Sequence, residues 1–181
     1  MDWQAYDHIL FLIVLVAAYS FSGWKRVLWL VTIFTIGHTL ALFLSVYDLV
    51  SLKSEWVELL IPITILVTAL YNIITAKKKE KQRSATLLYV TTAFFGIIHG
   101  LGFSTYFRMI ASNTENKFLP LMEFALGIEA ALIIVAISVL ILAFIFQNVL
   151  RITRRDWVLV ISSIVIGVIL PILRDNIPVI W

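Results

Sequence analysis

Three histidines and two glutamates lie inside or at the edge of long apolar segments of this chain. The histidines are His8, His38 and His99, and the glutamates are Glu58 and Glu129. An ionisable side chain in the hydrocarbon of a membrane costs about 2.5 kcal/mol or more, so such residues usually face a cavity, a partner or a ligand. We therefore expect these five side chains to do chemistry. Metal binding is a chemistry to which both imidazole and carboxylate are suited.

The residue types favour a divalent transition metal. Imidazole ligates nickel, cobalt and zinc, and a carboxylate adds the negative charge that a site away from water requires. Magnesium or calcium would need more oxygen ligands. The chain contains no cysteine, which excludes thiolate ligands and disulfide bonds. The sequence thus predicts a site of nitrogen and oxygen ligands for Ni, Co or Zn.

Composition indicates that membrane-spanning helices position these residues. Hydrophobic residues make up 61% of the 181 residues and charged residues 14%, and the mean hydropathy is +1.00. Apolar runs of about 18 residues or more, long enough to cross a bilayer, recur along the chain. We predict an all-α polytopic transmembrane bundle that forms a single domain over residues 1–181. Its helices, about six, are expected at residues 5–21, 24–47, 56–76, 85–111, 119–147 and 156–173.

The distribution of lysine and arginine predicts the orientation of the bundle. By the positive-inside rule, the first, third and fifth breaks between helices face the cytoplasm, so both termini would be extracytoplasmic. This placement also explains the net charge of +3 without a nucleic-acid partner. The ten residues on the predicted cytoplasmic side are Lys25, Arg26, Lys77, Lys78, Lys79, Lys81, Arg83, Arg151, Arg154 and Arg155, and the four on the other side are Lys53, Arg108, Lys117 and Arg174.

Counting residues back to the outer helix ends gives each ionisable group an expected depth. At 1.5 Å per residue, His8 and Glu58 lie within about 5 Å of the outer ends, whereas His38, Glu129 and His99 lie about 13, 15 and 18 Å inside. We therefore expect one shared site in a cavity that opens to the extracytoplasmic side. Glycines near His38, His99 and Glu129 allow the helices to approach closely, which would help these side chains converge. Close packing of helices alone would also explain them. These glycines are Gly37, Gly96, Gly100, Gly102 and Gly127.

Five segments carry a resemblance to a known family. In chain order they are Tyr6–Leu12, Phe34–Leu40, Val57–Ile63, Phe95–Phe103 and Gly127–Glu129. Their sequences are YDHILFL, FTIGHTL, VELLIPI, FGIIHGLGF and GIE. In this order and combination they resemble the HupE/UreJ family of small bacterial membrane proteins.

The resemblance implies a multi-pass protein of the bacterial inner membrane, with six or seven helices. Family members are usually described as nickel or cobalt permeases that serve hydrogenase and urease maturation. The resemblance also adds Asp7 to the five residues above as a candidate metal contact. Members usually begin further upstream, with another histidine before the Asp-His pair, and often have a glutamine where this chain has Leu132. An N-terminal helix upstream of Met1 is therefore left open.

The leading hypothesis is a permease whose substrate is a divalent metal ion. One alternative is an intramembrane zinc-dependent hydrolase, in which the three histidines hold zinc and Glu58 or Glu129 acts as general base on a lipid or peptide. Another is a non-catalytic, metal-binding accessory protein of the membrane. The expected partners are the metal ion and the lipid bilayer, and a homo-oligomer is left open.

Overall fold

The chain folds into a bundle of α-helices. The computed structural model describes residues 3–50, 52–78, 82, 84–110 and 116–177. Within these residues there are six α-helices and no strand, which confirms the predicted all-α class; the orientation of the termini stays a prediction. The helices are α1 (Trp3–Ala17), α2 (Trp24–Val46), α3 (Ser54–Thr75), α4 (Ala85–Ile110), α5 (Phe118–Phe144) and α6 (Arg154–Asn176).

Five of these helices, α2 to α6, are long and apolar enough to cross a bilayer. Large apolar side chains cover their outer faces: Ile74 is 79% exposed and Trp29 is 65% exposed. Such a surface is unfavourable in water and favourable in lipid, where the hydrogen bonds within each helix satisfy the backbone. These are the features of a membrane-embedded protein.

The shortest helix, α1, is the most enclosed. Phe11, Leu12, Val14 and Ala17 are at most 1% exposed, and α1 contacts α3, α4, α5 and α6. The prediction extended this helix to residue 21, but it ends at Ala17, where the chain turns toward the 3₁₀ turn Phe21–Gly23. Its 15 residues span about 22 Å, less than the roughly 30 Å of hydrocarbon.

Glycines bring α2 and α4 into backbone contact. A Cβ atom on Gly96 would lie 2.3 Å from the Phe34 carbonyl oxygen, and one on Gly100 would lie 2.3 Å from the His38 carbonyl oxygen. A Cβ atom on Gly37 would lie 2.4 Å from the Ala93 carbonyl oxygen. Gly96 and Gly100 are four residues apart, the spacing that lets membrane helices pack closely. Packing therefore explains these glycines, and it also places His38 beside the backbone of α4.

A proline determines how α3 meets α6. Pro62 has no N–H, so the Glu58 carbonyl one turn earlier loses its usual partner within the helix. The Asn176 side chain donates to that carbonyl through Nδ2 at 2.9 Å. At the other end of this antiparallel pair, Ala76 packs in one apolar cluster with Trp157 and Val158.

Arg154 joins three helices at one end of the bundle, here called the basic end because most of the lysines and arginines in the described ranges lie there. Its guanidinium donates to the carbonyl oxygens of Ala18 (2.8 Å), Ala76 (3.3 Å) and Lys78. These carbonyls follow α1 and α3, where helices leave acceptors unpaired and favour positive charge. The Thr153 hydroxyl caps the start of α6 by accepting from the Asp156 N–H at 3.2 Å.

Candidate metal site

The bundle brings the three histidines of the chain together. The ring centroid of His8 on α1 lies 4.8 Å from that of His99 on α4 and 5.3 Å from that of His38 on α2. His38 and His99 are fully buried, and His8 is 7% exposed. Residues that are 91 positions apart in sequence thus form one cluster in the core of the bundle, here called the histidine cluster.

The expected depth of His8 is wrong. Counting from the start of α1 put His8 about 13 Å nearer the outer interface than His99, yet their rings are in contact. The count assumed that α1, like its neighbours, starts at the membrane surface. Because α1 is short and its other end lies at the basic end beside Arg154, its first turns lie inside the bundle instead.

A hydroxyl of α3 orients His99. Thr64 Oγ1 lies 3.1 Å from His99 Nε2 and donates its one proton to the Ile61 carbonyl at 2.7 Å. Thr64 must therefore accept the hydrogen bond from His99, so that Nε2 carries the imidazole proton and Nδ1 carries the lone pair. A partner on one ring nitrogen that presents the other as a ligand is the usual arrangement of metal-binding histidines.

Three other ring nitrogens of His38 and His99 are buried without a hydrogen-bond partner among the described residues. They are Nδ1 of His99 and both Nδ1 and Nε2 of His38. A buried polar atom without a partner costs about 1 to 3 kcal/mol, so three such atoms in one cluster require an explanation. A transition metal supplies one, since neutral imidazole nitrogen is among its preferred ligands.

Aromatic rings surround the histidine cluster. Phe103 lies 4.9 Å from His8, Phe34 lies 5.3 Å from His99 and Phe11 lies 5.1 Å from His99, all between ring centroids. The His8 ring contacts the rings of His38 and His99 edge-on, and no group of three His, Asp or Glu residues in the described ranges has metal-ligand spacing. Metal binding would thus require rotation of the rings.

Asp7 and Glu58 face a cleft rather than the histidine cluster. This cleft has a volume of about 630 Å³ and lies between α1, α3, α4 and α6, opposite the basic end. Asp7 is 7% exposed, and its Oδ1 atom has no hydrogen-bond partner among the described residues. Glu58 is exposed and accepts from Ser54 Oγ at 3.1 Å. Asp7 precedes His8 in sequence, so the cleft and the histidine cluster adjoin at this turn of α1.

Glu129 lies with a different partner. Its Oε1 atom accepts a hydrogen bond from Thr32 Oγ1 at 2.8 Å, which joins α5 to α2. Thr32 lies six residues before His38, nearer the basic end of α2. The structure therefore brings the three histidines together, but it places Asp7 and Glu58 in the adjoining cleft and pairs Glu129 with a hydroxyl. A role for Glu129 in metal binding remains a prediction.

Comparison with known proteins identifies the family. A sequence model described as HupE / UreJ protein matches residues 2–173, which is nearly the whole chain. The chain belongs to the HupE/UreJ family. The resemblance seen in the five sequence segments is thereby confirmed. No curated protein and no solved structure matched the chain significantly.

Membership in the HupE/UreJ family and a bundle of five long apolar helices fit a membrane-embedded protein related to metal transport. Sequence reasoning on this HupE/UreJ protein missed Thr64, the partner of His99. A threonine within an apolar helix commonly bonds its own backbone, so its type gave no signal. It also missed Asp175 and Asn176, which line the cleft from α6.

Proposed function

We propose that this protein is a permease of the bacterial inner membrane for a divalent transition metal of the nickel type, with nickel, cobalt or zinc as substrate. The observation that supports this most is the histidine cluster. Three helices each contribute one buried imidazole, and three ring nitrogens of His38 and His99 have no hydrogen-bond partner in the described residues. Family membership supports transport over the other uses of a metal.

Imidazole ligands account for the proposed selectivity. Neutral imidazole suits nickel, cobalt and zinc, whereas magnesium and calcium prefer sites built from oxygen. The Phe11, Phe34 and Phe103 rings exclude water from the cluster and so strengthen binding of an ion that has exchanged its water for nitrogen. Asp7 is the carboxylate nearest in sequence to the cluster and would offset part of the positive charge.

The cleft gives the metal a route to the cluster from one end of the bundle. At the other end, Arg154 ties α6 to the ends of α1 and α3, so release would require these contacts to break. A transporter of this kind alternates between an arrangement open at the cleft and one open at the basic end. In the described arrangement the cleft is lined by Asp7, the residue next to His8 in the chain.

Glu58 and Glu129 bear on the hydrolase alternative. A zinc hydrolase needs a carboxylate base beside the metal-bound water. Glu58 lies in the cleft and Glu129 bonds Thr32, so neither lies beside the histidine cluster as such a base would. The permease therefore ranks above the hydrolase.

A flux assay tests the proposal. The protein would be reconstituted into liposomes that contain a metal-sensitive dye, and bound metal would be measured on the purified protein. We expect wild-type flux of nickel or cobalt, and loss of at least 90% of it in His38→Ala and in His99→Ala. Ile36→Ala is the matched control, because Ile36 lies on the same helix as His38 but is 62% exposed. Stoichiometric metal without flux would reject the permease, and absence of both bound metal and flux would reject every metal-based function.

A further inference from the structure

Three carboxylates from three helices line the cleft outside the histidine cluster. They are Asp7 of α1, Glu58 of α3 and Asp175 of α6. Among the described residues, the basic side chain that forms an ion pair with one of them is Arg174, whose Nε lies 3.4 Å from Asp175 Oδ1. That pair is exposed, with side-chain exposures of 86% and 68%, so it contributes little binding energy. The cleft thus carries a net negative charge.

Asp7 indicates that these carboxylates serve a ligand. It is more than nine-tenths buried, it lines the cleft, and its Oδ1 atom has no partner in the described residues. A buried carboxylate oxygen without a hydrogen-bond donor is costly, and a cation or its bound water removes that cost. Asp175 and Glu58, by contrast, are exposed and reach the mouth of the cleft.

The spacing of the carboxylates favours a hydrated ion over a chelated one. No three acidic or histidine side chains in the described ranges lie close enough to ligate one metal directly. A divalent cation that keeps its water shell can instead be held through hydrogen bonds from those waters. Six waters occupy roughly 180 Å³ at about 30 Å³ each, which fits within the cleft volume of about 630 Å³.

We propose that the cleft is a capture site for hydrated divalent cations, in which Asp7, Glu58 and Asp175 bind the ion through its water shell. This inference rests on the proposed transport function and adds the step before dehydration. Asp7 then passes the ion to His8, its neighbour in sequence, where imidazole nitrogens replace water. Glu58 and Asp175 attract the ion by their charge, and Asp7 accepts hydrogen bonds from its bound waters. The capture site therefore selects ions by their positive charge, whereas the histidine cluster selects among metals.

The backbone of Glu58 is bonded to α6. Asn176 holds the Glu58 carbonyl that Pro62 leaves unpaired, and this contact fixes α6 against the start of α3. Asp175 is the residue before Asn176, so the same contact places both carboxylates on the cleft. Two of the three carboxylates of the capture site thus come from the α3 and α6 pair, and the third, Asp7, comes from α1, which also carries His8 of the histidine cluster.

The first test measures flux at low and high ionic strength. We expect Glu58→Gln/Asp175→Asn to raise the half-saturating metal concentration roughly 3- to 10-fold at low salt, more than it lowers the maximal rate. The difference should disappear near 1 M salt, where the Debye length is about 3 Å. Arg174→Gln should shift the half-saturating concentration in the opposite direction, because it removes the positive charge beside Asp175.

Glu55→Gln is the matched control. Glu55 is an exposed carboxylate in the first turn of α3, three residues from Glu58, and it does not line the cleft. An effect of Glu55→Gln equal to that of the double variant would overturn the proposal, since surface charge alone would then be responsible. An unchanged half-saturating concentration in the double variant would overturn it as well.

A second test separates capture from transport. Mn²⁺ binding is measured in the His38→Ala/His99→Ala variant. Mn²⁺ is a suitable probe because it retains water when it is bound and then enhances the relaxation of water protons. We expect weak Mn²⁺ binding that persists in this background and is lost on adding Glu58→Gln/Asp175→Asn. Such binding without flux in the wild type would support capture while rejecting the permease. Flux without any Mn²⁺ bound at the cleft would reject capture and leave the permease standing.

Discussion

At the scale of single residues, the histidine cluster depends on how each ring is held. His99 has a defined proton position because Thr64 has already donated its hydroxyl proton to the Ile61 carbonyl. That leaves the lone pair of His99 on Nδ1, which is the ligand atom if the proposed metal binds. His38 has no such partner among the described residues, so no hydrogen bond determines which of its two nitrogens carries the proton.

Thr64→Val should weaken metal binding about 10- to 100-fold, the usual effect of removing a group that orients a metal-binding histidine. Thr64→Ser keeps the hydroxyl and should restore most of the affinity. Thr68→Val is the control, since its hydroxyl bonds only the Thr64 carbonyl of its own helix. Titration calorimetry with nickel or cobalt measures the change. Equal losses in Thr64→Val and Thr68→Val would indicate a general packing effect instead.

The sequence alone predicted a site shared by the histidines, because a histidine in an apolar membrane segment is costly and rare. The partners of the carboxylates could not be predicted in the same way. Glu129 looked equivalent to the histidines by depth, yet it bonds Thr32 on a face of α2 toward the basic end. Depth along a helix follows from counting residues, whereas the facing side chain depends on helix rotation and pairing, which one sequence does not determine.

At the scale of helices, the contact of α2 with α4 is the closest in the bundle. Gly37, Gly96 and Gly100 allow the two backbones to meet, so His38 and His99 lie on a pair of helices held at a fixed distance. The number and type of helices were predictable from apolar runs. Their pairing was not, although the Gly96–Gly100 spacing is a known signal for close packing.

Gly96→Ala should destabilise the protein by about 1 to 3 kcal/mol, because its Cβ would overlap the Phe34 carbonyl and the backbone cannot yield easily. Gly127→Ala should be neutral or stabilising by up to about 1 kcal/mol, since nothing lies within 4 Å of the added Cβ and alanine favours helix. Thermal unfolding in detergent compares the two variants. If both shifted stability alike, close packing at Gly96 would not be the cause.

At the scale of the whole molecule, the two ends of the bundle differ in chemistry. One end holds the cleft with its carboxylates, and the other holds Arg154 and most of the other basic residues that the structure describes. The alternation of helices places these groups as the charge count along the sequence predicts. The length of α1 was the part of the architecture that counting misjudged, because apolar residues continue past Ala17 into the turn.

The orientation of the two ends in the membrane is open to a direct measurement. With the basic end in the cytoplasm, a reporter that is active only in the cytoplasm should be silent when fused after residue 177. The same reporter should be active when fused after Lys78, which lies at the basic end. Activity at both positions, or the reverse pattern, would contradict the positive-inside assignment and invert the direction of the proposed transport.

The central position of α1 has a consequence for biosynthesis. This helix precedes in the chain every helix that encloses it, and α6, which holds Asp175 and Arg154, is the last of the six. While the later helices are still being translated, Asp7 and His8 lack most of the protein surroundings that bury them in the finished bundle. The burial of α1 is therefore not complete until α6 has been synthesised. Until then, the polar residues of α1 stay partly exposed.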